Sequence, residues 1–124
     1  MKVIAGTVLV LSLTVPVDAA DWWRFAMRAS TLSAGVAHAA DTATTMYCRG
    51  QGICRESNPW LLRYDRPIPF AVAKTTLAGG TLWATAVLFD HCESVGCKAA
   101  AVGANVGQTI AFGWVARHNS RVGQ

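Results

Sequence analysis

Ionisable side chains set in otherwise apolar sequence are where this chain could do chemistry, and two stand out. Asp41 lies in a segment of small residues with His38, Thr44 and Thr45 around it, and Lys74 is the single charge in the run IPFAVAKTTLAGGTLWATAVLF, residues 68–89. On a helix His38, Asp41 and Thr45 recur at i, i+3 and i+7 and share one face, with Thr44 beside them. On a third apolar segment Asn105, Gln108, Thr109 and Phe112 share a face, which adds Gln108 to the polar set. A carboxylate, an imidazole and hydroxyls on one stripe could form a proton relay, or one half of a buried ion pair whose other half is Lys74.

The two charges fall at one level. If the helix bearing Asp41 ends near Tyr47 and the one bearing Lys74 starts at Pro67, they lie ~9 Å and ~10 Å in from the same end at 1.5 Å per residue. An Asp41–Lys74 pair is therefore expected. The other possibility is that each side chain reaches the polar boundary alone, which the long Lys74 does more readily than the short Asp41.

The connecting stretch 48–67 holds a loop motif of Glu56, Asn58 and Pro59. Asn favours turn initiation, and Pro excludes the residue before it from the α region, so a turn is expected at Asn58-Pro59. Glu56 has three uses open to it: capping that turn, pairing with a neighbouring arginine, or reaching the Asp41/Lys74 site. The cysteines are spaced C-x5-C (Cys48, Cys54) and C-x4-C (Cys92, Cys97), not as zinc knuckles, so no metal site is expected. No phosphate loop or nucleophile elbow occurs, and His38 and His118 have no activating partner that the sequence places, so no catalytic residue and no cofactor is assigned.

The elements that must position these residues are helices. Residues 1–19 read MKVIAGTVLVLSLTVPVDA, with Lys2 as a charged start, an apolar stretch over 3–15 and small residues after Pro16. That is the pattern of a secretory signal peptide cleaved after Ala19, with an uncleaved signal anchor as the alternative. Residues 20–124 read as one domain with helices at about 25–47, 68–89 and 99–116. The 90–98 stretch DHCESVGCK suits a tight turn between the last two, and a Cys92–Cys97 disulfide is expected in it. Gly103 and Gly107 form a GxxxG step, extended by Ala99 and Ala111, and with Gly79-Gly80 they are expected to let helices of this chain approach closely.

Composition points the same way. Hydrophobic residues make up 52% and charged residues 15%, against roughly 25% charged in an average soluble protein. The net charge of +4 comes with no basic stripe interleaved with aromatics, so no nucleic-acid partner is expected. Arg49, Arg55, Arg63 and Arg66 crowd the 48–67 loop, and Arg117 and Arg121 follow the last helix, whereas the 90–98 turn sets Lys98 against Asp90 and Glu93. By the positive-inside rule the loop and the C-terminus are cytoplasmic, which would leave Cys48 and Cys54 reduced. Trp22, Trp23, Trp60, Tyr64 and Trp114 fall near helix ends, at headgroup level.

The fold class expected is therefore all-α: a small integral membrane protein, a three-helix transmembrane bundle after an N-terminal signal peptide or signal anchor. The order Asp41-x-x-Thr44-Thr45, Gly52-x-x-x-Glu56-x-Asn58-Pro59, Lys74 and a closing His118-Asn119 resembles a family of uncharacterised small bacterial integral-membrane proteins, a domain of unknown function. Trp60 stands where that pattern more usually has Leu, and both cysteine pairs are additions to it. The resemblance implies architecture and brings no activity.

Three functions stay open. One is a structural or interaction component of a complex at the bacterial inner membrane, with the bilayer and a membrane-protein partner or a second copy as its contacts. Another is a transport or proton-relay component using Asp41 and Lys74. The third is a secreted, soluble, disulfide-bonded protein.

Overall fold

The computed structural model describes residues 19–54, 59, 61, 63–64 and 66–122, and three helices account for most of them. They are α1 (Ala19–Gly50), α2 (Pro67–Asp90) and α3 (Val95–Val122). The stretch expected to be a leader lies outside the described residues except for Ala19, where α1 begins. Glu56 and Asn58 of the loop motif also lie outside them, while Pro59 is an exposed turn residue.

Local chemistry sets the helix ends. Asp21 places a carboxylate in the first turn of α1, where the helix dipole favours it, and the helix runs from there well ahead of residue 25. At the other end Gly52 adopts φ 71°, a left-handed conformation that glycine enters without penalty. With that turn Gly52 N–H donates to the Arg49 carbonyl at 2.9 Å and Ile53 N–H to the Cys48 carbonyl at 3.1 Å, closing the helix as a Schellman motif. α2 opens behind the extended Arg66, with proline in its first positions, where a missing N–H costs nothing. α3 is capped by Ser94, whose Oγ accepts from Cys97 N–H at 3.1 Å.

α2 and α3 form an antiparallel hairpin, and α3 packs chiefly along α1, with α2 touching both less extensively. At the hairpin end Met27, Phe89 and Ala101 form a small apolar cluster, supported by Trp23, Ala86 and Val102. Further along, the interior turns polar. Ser30, His38, Asp41, Thr45, Lys74, Asn105 and Asn119 are all buried, whereas Ile68, Trp83, Ile110, Trp114 and Leu32 are each at least 65% exposed.

Three expectations are corrected here. Among the described residues no helix is long and apolar enough to cross a membrane, so the transmembrane bundle does not hold; the all-α, three-helix part does. Lys74, four threonines and two glycines dilute α2, while α3 carries Asn105, Gln108 and Thr109 within its uncharged stretch. Second, a Cβ added at Gly79, Gly80, Gly103 or Gly107 would meet nothing within 4 Å, so the GxxxG step faces outward and does not bring these helices together. Third, Cys48 and Cys54, expected to be reduced, are bonded, with Cα atoms 5.1 Å apart, as are Cys92 and Cys97. The turn at Gly52 brings the first pair within bonding range.

Candidate functional site

The centre of the bundle is built around one threonine. Asp41 Oδ2 lies 2.7 Å from Lys74 Nζ, and both side chains are almost fully buried. Thr45 Oγ1 donates to Asp41 Oδ1 at 3.1 Å and accepts from Lys74 Nζ at 3.4 Å and from Asn119 Nδ2 at 2.9 Å. A hydroxyl has one hydrogen and two lone pairs, so Thr45 is fully used. One turn away along the chain, Phe70 covers the site: its ring centroid lies 5.3 Å from Lys74 Nζ and 4.5 Å from the Arg49 guanidinium carbon.

Two more polar groups extend this seam toward the hairpin. His38 Nε2 is 2.9 Å from Gln108 Oε1, which also receives Thr81 Oγ1 at 3.0 Å, and the His38 ring lies tilted against Phe112 with ring centroids 4.0 Å apart. Beyond it, Asn105 accepts from Thr85 Oγ1 at 2.8 Å and donates to Thr31 Oγ1 at 3.0 Å, with Ser30 Oγ at 3.4 Å. Among the described residues no buried side-chain nitrogen or oxygen lacks a partner. Burial of such groups is tolerable only when they are paired, and here they are.

The structure thus gathers His38, Asp41, Thr45, Lys74 and Gln108 on one seam, and leaves Thr44 off it. Thr44 Oγ1 bonds back to the Ala40 carbonyl at 2.8 Å, an intrahelical contact that serves no other element. Asn119 is the member that the sequence placed only within a closing motif, and Ser30, Thr31 and Thr85 gave no signal, because an isolated hydroxyl on an Ala-rich or apolar helix looks the same facing in or out. His118 is exposed and stacks on Trp114 at 5.5 Å.

Beside the ion pair lies a cavity of about 710 Å³, walled by Leu61, Leu77, Ala78, Phe112 and Trp114 and by the polar residues His38, Asp41, Lys74, Gln108 and Asn119. Among the described residues no three His, Cys, Asp or Glu side chains converge as a metal would need. Asp41 and Lys74 offset each other's charge, and among the described residues the base beside Thr45 is the carboxylate that Lys74 already holds. The arrangement can fix helix register and bind.

Comparison with known proteins finds no matching family model, no matching curated protein and no matching solved structure. The pattern running from Asp41 to Asn119 therefore carries no functional information from relatives.

Proposed function

We propose that this chain is an exported structural or interaction component of a bacterial inner-membrane complex, seated against partner helices by the outer face of α3. The observation that carries the reading is the ridge Val106, Ile110 and Trp114, spaced i, i+4, i+8 and 44%, 68% and 67% exposed. Gly103 and Gly107 open the same face to a close helix neighbour. A partner helix laid there would cover apolar side chains that otherwise face solvent at a cost of about 25 cal/mol per Å².

The two disulfides support the exported side. They sit at opposite ends of the bundle: Cys92–Cys97 beside the Met27 and Phe89 cluster, and Cys48–Cys54 at the far end of α1, ~30 Å away by helix rise. Disulfides persist in oxidising compartments and are rare in the cytosol, so both ends belong on one side of the membrane.

Site-specific photocrosslinking from position 110 in the native host tests the reading. A discrete adduct with a membrane protein is expected, lost on Gly107→Leu with both disulfides retained. A chain that crosslinks to nothing in membranes from which it co-fractionates would overturn it.

A further inference from the structure

The cavity beside the ion pair has the size of a ligand site, about 710 Å³, within the range of roughly 300 to 1,000 Å³ in which such pockets fall. Its chemistry narrows what could enter. Asp41 and Lys74 neutralise each other at 2.7 Å, and Thr45 donates to the other carboxylate oxygen. The cleft is open on one side, but its walls are mostly apolar. Asp41 and Lys74 are already paired with each other, so a charged head seated against them would give up hydration without gaining a counter-charge from that pair.

Gln108 is different. Its Oε1 takes both His38 and Thr81, and its amide nitrogen has no partner among the described residues, yet none of their buried side-chain nitrogens is left unsatisfied, so that pole is accessible. Gln108 lines the cavity. Reversing the amide would give its nitrogen to His38 and Thr81 and leave the oxygen accessible instead, and the two orientations are distinguished only by the hydrogen-bond network. A group that both donates and accepts satisfies either one. Around it, Leu77, Phe112 and Trp114 offer an apolar and aromatic wall.

We propose that this cavity binds an uncharged, largely apolar small molecule with one primary-amide or hydroxyl head, which Gln108 holds. The ion pair serves as a neutral floor that excludes charged heads. Of the α3 ridge Val106, Ile110 and Trp114, Trp114 also lines this cavity, but binding here needs no partner helix on that ridge.

The test uses the oxidised chain and N-phenyl-1-naphthylamine as a fluorescent probe. Saturable binding near one probe per chain is expected, displaced by decanamide and 1-decanol at concentrations at least ~10-fold below those needed for decanoate or decylamine, a factor equal to about 1.4 kcal/mol. Ala78→Phe, which projects a ring into the cavity between Leu77 and Gln108, and Leu77→Trp, which narrows it from an exposed position, should each abolish probe binding with helicity unchanged. If Ala78→Phe unfolds, Leu77→Trp decides alone. Gln108→Leu should keep the probe and lose the preference for decanamide. Probe binding that never saturates, that survives Leu77→Trp, or that decanoate displaces as well as decanamide would overturn the proposal, as would an unchanged preference in Gln108→Leu.

Discussion

The hairpin end of the bundle and its centre are held by different physics. Met27, Phe89 and Ala101 meet as a small apolar cluster in which any similar volume would serve, because dispersion and the hydrophobic effect have no direction. Asp41, Lys74, Thr45 and Asn119 meet through contacts of 2.7 to 3.4 Å that tolerate no slip of one helix along another. The difference separates cohesion from register: the first region contributes burial, and the second selects one arrangement out of several that nearly all-round apolar helices could adopt.

The sharpest way to break that contrast is at the ion pair. Asp41→Ala should destabilise by about 3 to 5 kcal/mol, because it strands Lys74 in the interior, whereas Asp41→Ala with Lys74→Ala should cost far less. Urea unfolding followed by far-UV circular dichroism measures both, and additive effects would show that the pair is not coupled.

At the hairpin end, Met27→Ala should cost about 2 to 3 kcal/mol, the low side of such truncations, because the cluster has few members to collapse around the gap. Combined with Asp41→Ala in the same unfolding assay it should add simply, since the two sites share no partner.

Thr45→Val should cost about 1 to 2 kcal/mol by leaving Asp41 Oδ1 and Asn119 Nδ2 short of a partner at nearly constant volume. The amide hydrogens of α3 near Asn119 should then exchange faster, while those near Ala101 stay unchanged.

The smallest effect sharpens the comparison from outside. Thr44→Ala, next to Thr45 in sequence, should change stability by less than ~0.5 kcal/mol in the same measurement, because Thr44 bonds only its own helix. A loss as large as that of Thr45→Val would mean that the seam is wider than the structure shows.

How much of this could be read beforehand varies residue by residue. The pairing of Asp41 with Lys74 was legible, but the depth only for Lys74, whose helix starts at a proline as expected; α1 runs on to Gly50, past the Tyr47 end from which the depth of Asp41 was counted. Gln108 was legible as part of a polar face. The partners of Asn105 were not: Thr85, Ser30 and Thr31 are ordinary residues in their helices and acquire a role only from the helix opposite. Gly103 and Gly107 misled for the same reason, since close spacing of small residues states that a helix could approach, not that this chain supplies it.

Local sequence therefore determined the number of helices, the span of α2, the tight Cys92–Cys97 turn and the depth of Lys74, all of which follow from apolar run length, proline, capping and helical rise. Only the tertiary structure decided which faces turn inward. α2 and α3 are apolar or small on nearly every side, so no periodicity marks a core face; the polar partners on neighbouring helices choose it, drawing Asn105, Lys74 and Asn119 in and leaving Ile110 and Trp114 out. The Cys48–Cys54 bond was decided there too, because it depends on a left-handed Gly52 that folds the chain back on the end of α1.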